Sequence, residues 1–186
     1  MDETLRTILD RRSVRKFTSE QVKEEELQTI LEAARYAPTA MGQQPWHFTV
    51  VQSAEMLGRI NETCRAAALK AGSKQLAERA KSDSFSVFYN APTFIIVTAD
   101  SKAIAPQNDG TLALGNMLLA AEALGVSACW IHALKMVFAA AEGAALKDAL
   151  GIPEGYEFVG AAAFGYRDME KPKALPRKDG VVNFIR

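Results

Sequence analysis

Residues 11 to 17, "RRSVRKF", place the four cations Arg11, Arg12, Arg15 and Lys16 within six positions, with one hydroxyl, Ser13, among them. Guanidinium groups grip phosphate oxygens in a bidentate fork, and hydrogen bonds to charged groups contribute about 1.5–3 kcal/mol each. Anion binding, of a phosphate above all, is the chemistry these types suit; a solvated helix end has the same composition. Three further stretches carry similar double readings. "APTAMGQQPWHF" (37–48) is a loop stiffened by Pro38 and Pro45, in which Gly42 admits a close neighbour and Gln43 and Gln44 both donate and accept. It also serves as a plain connector from helix to strand, with Trp46 in the core. "GVSACWIHA" (125–133) reads as a strand whose end leaves backbone N–H groups for a heterocycle edge, or simply as a strand. "PKALPRKDG" (172–180) gathers a second set of cations, including Arg177 and Lys178, where an exposed tail is the ordinary reading.

Several other chemistries are disfavoured. Cys64 and Cys129 are the only cysteines and lie far apart, without CxxC or histidine spacing, so neither a disulfide framework nor a structural metal is expected. With 22 basic and 22 acidic residues the net charge is zero, which argues against nucleic acid or an anionic membrane as partner. The start, "MDETLRTILDRR", is charged throughout and does not resemble a secretory signal, and runs such as "FIIVTA" are far shorter than the ~20 residues of a membrane span. A single soluble, cytoplasmic domain over residues 1–186 is the expectation.

The elements that must position these stretches follow from periodicity and punctuation. A short helix is expected over 3–11, then an extended segment, then a helix over 23–37 whose Leu27, Ile30, Leu31 and Ala34 share a face. Glu24, Glu25 and Glu26 suit its first turn and Pro38 ends it. Strands are expected at "WHFTVVQ", "TFIIVTA", "VSACWIH" and "YEFVGAAAFGY". Ser53 caps a helix over 54–71, closed by Gly72, and "KQLAERAK" forms a further helix before an irregular stretch. Asn108 or Asp109 is expected to cap "GTLALGNMLLAAEALG", apolar nearly all round and therefore central, and "VFAAAEGAALKDAL" forms one more helix. The order is too irregular for simple βαβ alternation, so the class is α+β, a small sheet with helices on both sides. After a long polar stretch, the apolar "VVNFI" calls for a sheet edge or a second subunit to pack on.

Taken in order, "RRSVRKF", "AARYAPTAMGQQPWHF", "FYNAPTFIIV", "DGTLALGNMLLAAEALGVSACWIHA" and a late "LPR" resemble the nitroreductase family of flavoproteins, over nearly the whole span from 8 to 177. The resemblance implies a small, mostly antiparallel sheet covered by helices and an intertwined homodimer with FMN at its interface. It also implies transfer of electrons from NADH or NADPH to nitroaromatics, quinones or related acceptors by a ping-pong mechanism. Arg11, Arg12 and Ser13 match positions that hold the FMN phosphate and ribityl chain, and Arg177, with Lys178 beside it, the late cation that completes the phosphate site. Arg15 matches a basic position at the pyrimidine end, where a cation stabilises the negative charge that reduction places there. Pro38, Thr39, Ala40 and Met41 match the segment that the partner subunit lays against the flavin, and Gln44 the glutamine ahead of Pro-Trp. Ile131, His132 and Ala133 match the stretch whose backbone approaches the ring. No general acid or base is implied, since the cofactor carries the hard step. Gly42 stands where many members have asparagine, and Thr39 or Ala40 where they have serine, which removes side-chain hydrogen bonds near the flavin. His132 reads as a neutral histidine satisfied by backbone, and the substrate lid between 66 and 90 as small. The competing readings are a specialised enone or dehalogenating reductase and a flavin-binding module without turnover.

Overall fold

The computed structural model describes residues 2–140 and 143–186. Helix α1 (Glu3–Asp10) is capped by Asp2, whose carboxylate accepts from Thr4 N at 2.9 Å. It buries none of its own residues, leaving Leu5, Ile8 and Leu9 exposed. The next stretch is extended, and Val14 and Thr18 donate to the carbonyls of Ala128 and Tyr166 at 3.0 and 2.8 Å. In α2 (Glu24–Arg35) the Glu26 carboxylate returns to Lys23 N at 3.2 Å, and Leu27, Ile30 and Ala34 are buried at helical spacing. Ser53 and Ser73 cap α3 (Ala54–Lys70) and α4 (Lys74–Lys81) through Met56 N and Leu76 N.

Strands β1 (Trp46–Val51), β2 (Thr93–Asp100), β3 (Ser127–Ile131) and β4 (Tyr156–Gly165) form one sheet in the order β1-β2-β4-β3, antiparallel throughout. β2 is central and buried on both faces, which is why "TFIIVTA" is a continuous apolar run. Phe94 and Ile96 face a core built with α3, α4, α6 (Leu134–Phe138) and α7 (Ala144–Ala149). Ile95, Val97 and Ala99 face α2 and α5 (Pro106–Ala123). The α5 helix lies close on β4: a Cβ on Gly160 would stand 2.9 Å from Leu114 Cδ2 and 2.8 Å from Trp130 Cζ2. None of the described helices is long and apolar enough to cross a membrane.

Three local expectations change. α5 begins at Pro106, whose missing N–H costs nothing in a first turn, and it has no side-chain cap. Asn108 and Asp109 therefore lie inside the helix, and Asp109 turns its carboxylate elsewhere. The single helix expected over 137–150 is divided into α6 and α7. Between them Gly143 passes so close to Val137 that a Cβ would stand 2.2 Å from its carbonyl oxygen; Ala141 and Glu142, inside the expected helix, lie outside the described residues. From Glu170 onward the chain takes no helix or strand, and Val181, Val182, Phe184 and Ile185 are all exposed.

Candidate functional site

The extended stretch after α1 bridges to β3 at Ser13 and Ala128, so alternate residues point the same way along that edge. Arg11, Ser13 and Arg15 all act electrostatically on Cys129. Burial pushes the Cys129 thiol above its ordinary value, while the Arg15 guanidinium, the Ser13 hydroxyl and the Arg11 guanidinium pull the other way. The remaining two cations turn aside. Lys16 pairs with Asp168 at 2.8 Å, and Arg12 Nη1 donates to the carbonyls of Leu9 and Arg11 at 2.6 and 2.7 Å. None of the three arginines has a carboxylate partner among the described residues.

Ile131, His132 and Ala133 stand where β3 ends and the chain turns into α6. Beyond the β3–β4 ladder, which closes at Ile131 and Ala161, the amides of His132 and Ala133 have no backbone acceptor among the described residues. The His132 ring is exposed and tilted against Phe158, 6.1 Å between centroids, and makes no hydrogen bond among the described residues, in place of the backbone satisfaction expected of it. These three residues form one wall of a cavity of about 120 Å³. The opposite walls come from the expected lid region: Ala68 of α3, Leu76 and Arg79 of α4, and Phe85 and Tyr89 after it. Tyr89 and the following Asn90 both adopt left-handed backbone, φ 57° and 55°, and Asn90 N donates to Ser86 Oγ at 2.8 Å.

The loop with Pro38, Thr39, Ala40, Met41 and Gln44 is anchored at a different edge. Ala40 N donates to both carboxylate oxygens of buried Asp109 at 3.2 Å, Gln44 N donates to Thr39 Oγ1 at 3.2 Å, and Ile104 N donates to Gln43 Oε1 at 2.9 Å. Met41, Gly42 and Gln44 all have positive φ, and Met41 is 88% exposed. This loop leads into β1, whereas the Arg11–Ser13–Arg15 row lies along β3. Three strand spacings, about 14 Å, separate the two edges. Within one chain they are not brought together. Arg177 and Lys178 also stand apart, on the exposed tail, with no hydrogen bond or ion pair among the described residues.

Sequence reasoning gave Arg79 and Tyr89 no part in the site, and Asp109 only that of a helix cap. Asp109 had a signal, as a carboxylate in a helix otherwise apolar nearly all round. Tyr89 had none, because nothing in "FYNAP" demands left-handed backbone of a tyrosine.

The family model for the nitroreductase family matches residues 8–166. The chain belongs to the nitroreductase family. A crystal structure of a Bacteroides fragilis nitroreductase with bound FMN is 36% identical, with a TM-score of 0.93 and all of both chains covered. A nitroreductase with bound FMN from Desulfitobacterium hafniense is 30% identical, with a TM-score of 0.88 and again all of both chains covered. A Vibrio harveyi protein named NADPH-flavin oxidoreductase is 29% identical over 185 residues, spanning 95% of this chain and 70% of that one. The α+β nitroreductase fold, with its antiparallel sheet between helical layers, is thus the fold of this chain.

Proposed function

We propose that this nitroreductase-family chain binds FMN and oxidises NADH or NADPH at the expense of a quinone, nitroaromatic or related acceptor. The observation that carries the reading is the row of Arg11, Ser13 and Arg15 along β3, without carboxylate partners, beside the unengaged amides of His132 and Ala133. Unpaired cations in one row ask for an anion, and backbone donors at a strand end suit a heterocycle edge. The donor set therefore fits a phosphate-bearing flavin. When bound, FMN supplies the chemistry of accepting and releasing electron pairs, and the chain's residues bind and orient it. Arg11 and Ser13, with Arg177 and Lys178 reaching in from the tail, hold the phosphate. Arg15 offsets negative charge at the pyrimidine end. Arg12 instead covers the carbonyls of Leu9 and Arg11 at the end of α1.

The assembly is a homodimer. Leu5, Ile8 and Leu9 of α1, Leu112 of α5, Leu124 at its end and the apolar tail are all exposed, which suits burial against a second subunit. One subunit supplies the β3 edge of each site and the other the Pro38–Gln44 loop, which supports a site that neither chain completes alone. Cys64 and Cys129, both buried and unpaired, suit the reducing cytoplasm.

The test is uptake and turnover. The purified chain is expected to bind about one FMN and to give parallel double-reciprocal lines for donor and acceptor, because both react at one site in turn. A chain that takes up no FMN at micromolar concentration, or intersecting lines, would overturn the reading.

A further inference from the structure

Two guanidinium groups reach the ring of one tyrosine. The Cζ atoms of Arg15 and Arg79 lie 6.0 and 5.5 Å from the Tyr89 ring centroid. They arrive from separate elements, Arg15 from the stretch along β3 and Arg79 from the last turn of α4. The adjacent carboxylate on α4, Glu78, is engaged by Lys81 at 2.6 Å, so Arg79 has no carboxylate partner among the described residues. The consecutive left-handed residues Tyr89 and Asn90 cost backbone energy to hold the ring there. With the FMN reading, Arg15 is committed to the flavin. Arg79 is left over.

The cavity under this ring is an apolar slot. Ala68, Leu76, Phe85 and Met136 line it, with Tyr89 and His132 on the same lining. At about 120 Å³ it approaches the ~150 Å³ that admits one benzene ring, and is far too small for a three-ring flavin. We infer that this slot receives the electron acceptor and selects a single aromatic ring bearing an anionic group such as a carboxylate, with Arg79 holding the anion and Tyr89 the ring. The inference rests on the proposed flavin chemistry. A nitro-bearing acceptor of this kind takes the hydride of NAD(P)H and one proton, giving the nitroso compound, NAD(P)⁺ and water.

The test compares 4-nitrobenzoate with its neutral methyl ester on the FMN-saturated full chain. The wild-type chain is expected to favour the carboxylate about tenfold or more in kcat/KM, the scale of one charge-assisted contact. Arg79→Gln is expected to erase that preference through KM and to leave the ester within about twofold, while Arg79→Lys restores part of it. Benzoate, which is not reduced, supplies a readout independent of electron transfer. Its binding is followed by isothermal titration calorimetry and is expected to weaken by the same factor in Arg79→Gln. Equal wild-type preference for acid and ester, or an unchanged ratio in Arg79→Gln, would overturn the inference. So would a rise in KM for NADPH alone, which would assign Arg79 to the donor. A chain that took up no FMN would fail the flavin reading instead, and Arg79-dependent benzoate binding to that chain would still support the slot.

Discussion

Arg11 and Arg12 are adjacent but face in different directions. Arg11 lies in the field that reaches Cys129, whereas Arg12 covers the last carbonyls of α1. Arg11→Glu, and Arg177→Glu on the tail, are each expected to weaken FMN binding at least tenfold, about 1.4 kcal/mol, by setting a negative charge against the phosphate. Riboflavin, which lacks the phosphate, should respond much less in the same titration. Arg12→Ala should instead lower the thermal midpoint, because it removes a cation from a helix C-terminus, an effect of up to about 1 kcal/mol. The thiols make a separate case. Burial pushes Cys64 up from 9.0 to about 12, so it stays protonated in the folded chain where the unfolded chain would release the proton. Its contribution to stability is thus complete below pH 9 and is lost as the pH rises towards 12. Denaturation across that range should show a steeper alkaline decline in the wild-type chain than in Cys64→Ala. Neither thiol should react with a thiol reagent at pH 8 until the chain is unfolded.

At the scale of elements, α5 is held against the sheet by side-chain absence. Gly160 lies between Leu114 and Trp130, and Gly110 opposes Val159, where an added Cβ would stand 2.8 Å from Cγ2. Gly160→Val should therefore cost about 1–3 kcal/mol through forced repacking, measured as a lower midpoint in urea. The same helix anchors the Pro38–Gln44 loop through Asp109. All four strands and most helices were legible, because alternation, apolar runs and the serine caps act over a few neighbouring residues. Ser53 caps as its position requires. What escaped depended on distant partners. Asp109 reads as a helix cap until Ala40 is known to lie beside it, and the division of 137–150 into two helices depends on Gly143 meeting the Val137 carbonyl. The site was legible only as four weak stretches whose order matched a family. Nothing local tells that Arg79 and Arg15 share one tyrosine.

At the scale of the molecule, the tail runs on from the Lys171–Glu122 pair on α5 and carries four exposed apolar side chains beyond it. Burying them against a partner would contribute roughly 1.5–3 kcal/mol per large side chain before ordering costs. Deleting residues 180–186 is expected to loosen the dimer and weaken FMN binding together, checked by light scattering after size-exclusion chromatography and by flavin titration. A truncated chain that stays dimeric with full affinity would reduce the tail to a solvated end. The separation of the β3 edge from the Pro38–Gln44 loop has a genetic consequence. If each site draws on both subunits, a chain broken at Arg11 and a chain broken in the loop rescue each other. Unfolded together and refolded, two such inactive variants would pair at random. Half-and-half dimers would combine both lesions in one site and leave the other whole, so about a quarter of all sites would regain activity.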